Sequence, residues 1–263
     1  MNEIDYTNLI LPIIKNAGKK INENFRFKRS IDEKGSSNYV TDLDFLIENY
    51  IINNIKNVIP DAEFVSEEKV HFINSNSFWI LDPIDGTTNL IHNYPSVCIS
   101  LSHVINKSTV FGVVYNPISH ELFFAEKGKK AFLEKNKHLR EIHVSHCNQI
   151  AHSIIGFGFP YDKTKSEDLF CILKKLVLEC DDLKRSGPAS LDLCYVACGR
   201  LDAYFELDLE QWDFSAGALI LLEAGGKITD FAGQGYLFSK TNIIATNSLL
   251  HKEMMKKVNL CSR

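Results

Sequence analysis

The chain has 263 residues, enough for one large domain or two subdomains sharing a site. Hydrophobic residues make up 45% and charged residues 24%, an ordinary globular balance in which a sizeable core is expected and disorder is not. The formal net charge of −4 argues against a general nucleic-acid binder, which is usually basic.

Seven cysteines form an odd set without a C-x-x-C pair, which reads as reduced thiols in a cytoplasmic protein rather than a disulfide frame. Cys194 and Cys198 stand four apart on a predicted helix, where small core residues are a better reading than a metal pair. The first twenty residues, MNEIDYTNLILPIIKNAGKK, lack the basic-then-apolar pattern of a signal peptide. No apolar run approaches the ~18 residues that suggest a membrane span.

Taken in chain order, NLILPIIKNAGKKINENF has apolar residues at helical spacing, with Pro12 tolerated only in a first turn. A polar loop, DEKGSSN, follows. TDLDFLIENYIINNIKNVI is a helix with Leu43, Leu46, Ile47, Tyr50, Ile51, Ile55 and Val58 on one face, ended by Pro60. EFVSEE and FWIL are short strands. From 97 to 133 the period changes to two, and VCISLSHV, TVFGVVY and ELFFAE make an antiparallel meander. KGKKAFLEKNKHLR reads as a further hairpin with a solvated basic edge.

Beyond residue 150 or so, strands and helices alternate. SIIGFGF, DAYFEL, KITD and NIIAT are strands. SEDLFCILKKLVLEC, PASLDLCYVACG, DFSAGALILLEAGG and NSLLHKEMMKKV are helices, the third closed by Gly225-Gly226. The pattern suggests layered α and β elements in two subdomains, 1–145 and 146–263, of a single-domain chain.

FWILDPIDGTTNL carries the chemistry. An apolar strand ends in Asp82 and Asp85, and two acids buried there without a partner would be very costly. A divalent cation resolves that cost, and oxygen-only ligands, with the Ile84 carbonyl between them, favour Mg²⁺ over Zn²⁺. Gly86 allows a sharp turn, and its amide with that of Thr87 makes an anion site if a helix begins there. A plain Asp-Pro-x-Asp-Gly turn is the bland alternative. The D-x-D-G-T nucleophile of haloacid-dehalogenase-type phosphatases is one residue shorter, and that reading is set aside. Asp213 at the start of an apolar helix reads as an N-cap, and Glu67 and Glu68 as surface charge, when each is taken alone.

Taken together, Glu67-Glu68, WILDPIDGTTN and WDFSAGALILLEAGG resemble the signature of the inositol monophosphatase family, metal-dependent phosphomonoesterases. VTDLD, FGVVYNP and GRLDAYFE agree with it, so the resemblance covers nearly the whole chain. It implies a five-layer αβαβα sandwich of the type shared with fructose-1,6-bisphosphatase, a cytoplasmic homodimer, and two to three Mg²⁺ ions with lithium sensitivity. Glu67, Asp82 and the Ile84 carbonyl would hold one ion, and Asp82, Asp85 and Asp213 another. A weaker third ion would share Glu67 through water. Glu67 and Thr87 would orient and deprotonate the attacking water, with Asp44 behind Thr87 and no phosphoenzyme. Thr41 and Asp44 fit a capping box equally well.

By the same resemblance Asp85, Gly86, Thr87, Thr88, Ala189, Glu206 and Asp213 would contact substrate, and Lys34 in the DEKGSSN loop would close over it. Pro188 departs from the family by removing a backbone N–H, Leu90 stands where an aromatic is usual, and the stretch from Glu68 to Trp79 is short. These departures bear on the substrate rather than the reaction. The expected substrate is a small phosphate monoester, inositol monophosphate first. Fructose 1,6-bisphosphate, a nucleotide 3′-phosphate and histidinol phosphate are alternatives. A different class, an RNA-associated or transcription-complex partner, would require a basic patch, and only the 127–140 hairpin offers one.

Overall fold

The protein is described by a computed structural model covering residues 4–27, 30–35, 38–68, 75–160, 162–235 and 241–259. Helix α1 (Tyr6–Asn24) is capped by Asp5, whose carboxylate accepts the Asn8 N–H at 3.0 Å. Pro12 lies inside this helix, not in its first turn as the sequence suggests. The Asn8 carbonyl therefore lacks its ladder donor, and the helix persists because Ile10, Leu11, Ile14, Ala17 and Ile21 are buried. Of the expected DEKGSSN loop, 32–35 and Asn38 instead belong to paired antiparallel strands, β1 (Ile31–Gly35) and β2 (Asn38–Thr41), and 36–37 lie outside the described residues. Helix α2 (Asp42–Val58) forms as expected, but Leu46 and Val58 of its anticipated apolar face are exposed. Burial follows the Leu43, Ile47, Ile51, Ile55 row, and Asp44 and Glu48 are buried beside it.

β3 (Phe64–Ser66) pairs in parallel with β4 (Ser77–Asp85), and the rest of this sheet is antiparallel. Its strands run in sequence order through β5 (Cys98–Ile105), β6 (Ser108–Asn116), β7 (Glu121–Glu126), β8 (Ala131–Lys135) and β9 (His138–Glu141). The five-residue helix α3 (Thr87–Ile91) follows β4 directly. The second half supplies β10 (Ile154–Phe157), α4 (Ser166–Leu176), β11 (Asp182–Lys184), α5 (Ala189–Ala197) and β12 (Ala203–Leu209). It ends with α6 (Gln211–Glu223), β13 (Lys227–Thr229), β14 (Thr241–Thr246) and α7 (His251–Asn259). The second sheet has the order β11-β10-β12-β14-β13. The short strand β11 carries no clear periodicity and is absent from the sequence reading, whereas α3 supplies the helix that reading left conditional at Gly86-Thr87.

Three large cores pack the five layers, the middle one reaching both faces of the α5–α6 layer. The first lies between α1, α2 and one face of the larger sheet, and the second between the two sheets around α5 and α6. The third lies under α4 and α7. Helices α5 and α6 are apolar all round because a sheet covers each side, so every residue from Asp213 to Leu221 is buried. Cys194 belongs to this middle core, in keeping with a packing role for it. Cys171 is disulfide-bonded, which corrects the expectation that all the thiols are reduced. Cys98, Cys147, Cys180, Cys194 and Cys198 are free, and Cys261 lies outside the described residues. No helix among the described residues is long and apolar enough to cross a membrane.

Helices α5 and α6 meet at Gly217, where an added Cβ would fall 2.8 Å from the Leu193 Cβ and 2.9 Å from the Ser190 carbonyl. Gly217→Ala is expected to cost about 1–3 kcal/mol by overpacking. Gly235→Ala, with none of the described residues within 4 Å of the new carbon, should stay within about 0.5 kcal/mol of the parent. Thermal unfolding of the two variants checks this, and equal melting temperatures would contradict it.

Candidate active site

Residues three apart on a regular strand face opposite sides, so Asp82 and Asp85 would ordinarily diverge. The pairing of β4 with β5 removes that problem. Asp82 stands opposite Ser100 and Asp85 opposite Cys98, so three steps on β4 match two on β5. This one-residue bulge restores the parity and turns both carboxylates to the same side. Pro83 is tolerated there because a bulge needs no ladder donor at its extra residue. The Ile84 N–H turns back onto the Asp82 carboxylate at 3.0 Å.

Gly86 adopts φ +98°, ends the strand and starts α3. The Thr87 hydroxyl lies 3.1 Å from the Ile84 carbonyl and 3.2 Å from Asp44 Oδ1, so its proton goes to one or the other. Asp44 Oδ2 accepts both the N–H and the hydroxyl of Thr41, at 2.8 and 2.6 Å. Asp44 thus stabilises the start of α2 and contacts Thr87 at once. Asp213 is not the N-cap of α6, which is Glu210. It occupies the third helical position and accepts the Glu210 N–H at 2.8 Å. Glu67 follows β3, its N–H donated to the Leu81 carbonyl at 3.2 Å.

These acids sense one another. Burial pushes the Asp82 and Asp213 carboxyls well above the ordinary range, and the neighbouring carboxylates, Glu67 and Asp85 among them, push them further. Burial raises Asp85 to about 7 against the opposing pull of the Ser190 N–H, which donates to it at 2.9 Å. Asp44 rises to about 6 by burial, partly offset by Thr41. Among the described residues none of Asp44, Asp82, Asp85 and Asp213 has an ion-pair partner. Nor do three of the described His, Cys, Asp and Glu residues converge as a finished coordination shell. Mutual charge, not a formed shell, ties the acids together. The donor set is entirely oxygen, anionic and backed by a carbonyl, which fits a hard divalent cation such as Mg²⁺.

A cavity of about 210 Å³ opens beside this cluster, lined by Asp85, Gly86, Thr87, Thr88, Ala189, Glu206 and Asp213 among others. Of the eight expected substrate contacts, all but Lys34 therefore line one cavity. The Lys34 side chain lies outside the described residues, as does the stretch 69–74. Leu90 is fully buried in the first core and does not line the cavity, so its departure from the family leaves the lining unchanged. Pro188 precedes α5 and packs over Gly86, where a Cβ would meet its Cγ at 3.0 Å.

Glu206 sits just before a second bulge, where Glu206 pairs with Ile243 and Leu209 with Thr241. Its carboxyl accepts the Tyr204 hydroxyl and lies against Gly158, whose hypothetical Cβ would be 2.1 Å from the carboxyl carbon. Burial raises Glu206 to about 8, opposed by the Tyr204 hydrogen bond. Sequence reasoning missed Tyr204, Gly158, Ser190 and Asn89. The Asn89 amide donates to the Ser96 and Ser186 carbonyls at 2.8 and 2.9 Å and anchors the turn before α5. The GFGF run and the TTN step were visible, but nothing local ties them to Glu206 or to that turn.

The raised carboxyls predict a pH dependence. Each binds its proton more tightly in the folded chain than in the unfolded one, where Asp titrates near about 3.9. The destabilisation is absent below that value, grows with pH, and is complete above the folded values of about 6 for Asp44 and about 7 for Asp85. Chelator-treated protein should therefore melt at lower temperature as pH rises from 5 to 8, less steeply in Asp85→Asn, and Mg²⁺ at pH 8 should restore it. A melting temperature indifferent to Mg²⁺ at pH 8 would contradict the cation reading.

The model of the inositol monophosphatase family matches residues 5–263. The chain is 38% identical over 260 residues to the Nus factor SuhB of Haemophilus influenzae, covering 97% of this chain and 96% of that one. It is 34% identical over 264 residues to inositol monophosphatase 2 of Solanum lycopersicum, covering 97% and 98%. The extragenic suppressor protein suhB from Bartonella henselae superposes with a TM-score of 0.91 at 33% identity, covering 97% and 98%. With the family model spanning residues 5–263 and relatives 38% and 34% identical over nearly their whole length, the chain belongs to the inositol monophosphatase family of phosphatases.

Proposed function

We propose that the chain hydrolyses the phosphate monoester of a small polyol or sugar, inositol monophosphate first, by direct attack of water. The observation that carries this reading is the bulge in β4, which turns Asp82 and Asp85 toward Glu67 and Asp213 beside the Thr87 hydroxyl. Bound Mg²⁺, held by Glu67, Asp82, Asp85, Asp213 and the Ile84 carbonyl, supplies positive charge for the phosphate and for activation of water. Thr87 directs its proton to Asp44 or Ile84, so its oxygen keeps lone pairs to accept from a water. Glu67 takes the proton of that water as it attacks phosphorus, the P–O bond to the alcohol breaks, and a water near Asp213 gives the leaving alkoxide its proton. The amides at Gly86 and Thr87, left without helical partners at the start of α3, receive phosphate oxygens. Glu206, pinned by Tyr204, accepts a hydroxyl of the leaving alcohol.

A second reading rests on the name of the Haemophilus influenzae relative, a Nus factor. The expected basic surface is weak here, because Lys129, Lys130 and Lys135 of the 127–140 hairpin pair with Glu126, Glu141 and Glu121. Co-purification with RNA polymerase tests that reading directly, and a chain that carries both roles would pass both tests.

Phosphate release should vanish in EDTA and return with Mg²⁺. Asp213→Asn should abolish turnover at saturating Mg²⁺ while keeping the melting temperature, because the amide oxygen can still accept the Glu210 N–H. Retention of most of the wild-type kcat would leave Asp213 a helix-start residue alone.

Assayed above pH 8, where the raised Glu206 carboxyl is ionised, Glu206→Gln should lower kcat/KM on a polyol phosphate by about ten- to a hundred-fold, on the scale of one buried charge-assisted hydrogen bond. Gly158→Ala should produce the same selectivity change, since its new carbon occupies the place of the carboxyl. Both should leave p-nitrophenyl phosphate, which lacks hydroxyls, nearly unaffected. Equal losses on both substrates would make Glu206 part of the phosphate machinery.

A further inference from the structure

A second cavity, of about 330 Å³, lies between α1 and the β6–β9 end of the larger sheet and shares no lining residue with the first. Tyr115 of β6 and Leu122 of β7 line its buried side, Lys15 and Lys19 of α1 border it, and His120 and Lys137 reach it from the turns after β6 and β8. The Lys15 ammonium donates to both oxygens of the Glu134 carboxylate, at 2.7 and 2.8 Å, so these two charges cancel. Lys19 donates to the Asn16 side chain at 3.2 Å, and among the described residues neither Lys19 nor Lys137 makes an ion pair. In a chain of net charge −4 this is a local excess of positive charge. Asn136 at φ +51° and Lys137 at φ +67° form the two-residue turn that joins β8 to β9 and presents the lysine. Tyr115 supplies an observation of another kind. Its side chain is only 9% exposed, and α1 approaches it so closely that a Cβ on Gly18 would overlap its ring. Yet its hydroxyl makes no hydrogen bond among the described residues, although a buried donor is ordinarily satisfied. Burial, and after it Glu134, push the phenol pKa up, so the hydroxyl keeps its proton and remains a donor.

From these observations we infer that the second cavity binds a small phosphate-bearing anion, free or esterified, with Lys19 and Lys137 meeting its charge and the Tyr115 hydroxyl donating to it from the buried side. The groups left without partners select this class. The two ammoniums and the phenol are donors, and the one carboxylate at the cavity is already engaged by Lys15. An anion with several acceptor oxygens therefore satisfies them, and a cation satisfies none. The His120 ring adds an N–H donor in either tautomer. A phosphate group carries three or four oxygens and close to two negative charges at neutral pH, which matches two separate ammoniums better than a single carboxylate does. The volume stands near the lower bound of small-molecule sites and suits a ligand of metabolite size. No residue of the catalytic reading takes part, so this site stands or falls independently of the phosphatase activity.

Titrating the full chain with inorganic phosphate at saturating Mg²⁺, followed through backbone amide resonances, reads the two cavities separately. Lys19, His120 and Lys137 report the second cavity, and Gly86 and Thr87 report the first. The shifts at Lys19, His120 and Lys137 should saturate with a Kd of about 1 mM or tighter. The double variant Lys19→Gln/Lys137→Gln should weaken that binding by about tenfold or more, and Tyr115→Phe by about three- to tenfold, each leaving the Gly86 and Thr87 response unchanged. The same titration with glycerol 2-phosphate in EDTA, where the ester stays intact, separates the two sources of the anion. Binding equal to that of inorganic phosphate means that the phosphate group alone is recognised, and tighter binding means that the cavity also holds the carrier. Shifts that grow with phosphate without saturating, that sodium chloride of equal ionic strength reproduces, or that persist in the double variant overturn the site.

Discussion

Like charge held out of water is the constraint around which the rest of the molecule is arranged. Asp82, Asp85 and Asp213 are all buried, and Glu67 acts on all three electrostatically, as Asp44 does on Asp82. Such a cluster is unfavourable unless its members are neutralised, hydrogen-bonded or joined by a cation. The chain provides part of the compensation. The Ser190 N–H meets Asp85, the Glu210 N–H meets Asp213, the Ile84 N–H meets Asp82, and Thr41 meets Asp44. These donors fix where each carboxylate points. They do not remove the charge, and that residue of instability is what a hard cation would relieve.

Geometry is enforced by two bulges, one in each sheet. In β4 the extra residue turns Asp82 and Asp85 to one side, and in β12 another follows Glu206 at once. The second bulge includes Asp208 at φ +68°, held by the Asn242 side chain and by Lys165. A strand without its bulge would send alternate side chains to alternate faces and split the site. Helices α5 and α6 pack closely enough at Gly217 to bring Ser190 and Asp213 between the sheets, where Ser190 bonds both Asp85 and the Asp213 carbonyl. The cavity thus draws on both sheets and on the helical layer between them, which explains why the acids that line it are spread from residue 85 to residue 213.

The two walls of the cavity divide the chemistry. Under the proposed function, the acidic wall and the short helix after it would meet the reacting phosphate, while the turns before α4 and α5 would face the alcohol. The first wall rests on strands and helices with full cores behind them. The second rests on turns held by Asn89, by Asp192 through Ser186, and by the packing of Phe159 on Phe157. Turns of this kind can change residues without disturbing the core, so selectivity can vary while the acidic wall stays fixed.

Much of this was legible along the chain. Helical periodicity placed α2, α4, α5, α6 and α7, and period two placed the meander from β5 to β7, because those signals are local. DPIDG announced costly acids at a strand end, and the motif resemblance named Glu67 and Asp213 as their companions. Other features needed the assembled chain. Pro12 inside α1 is tolerated by packing, not by propensity, and the β1–β2 hairpin replaces a loop that polarity alone suggested. Leu46 is exposed because α2 turns a different row of its surface to the sheet. Tyr204 and Gly158 became partners of Glu206 only when β12 was laid beside β10, and Lys163 met Arg185 only across the ring of Phe159. The sequence by itself determined which residues could carry charge, turn or cap, since those properties belong to single residues and short spacings. Register, parity and the approach of distant turns were decided by the tertiary structure, because they depend on which strand lies opposite which, a long-range relation that no local window contains.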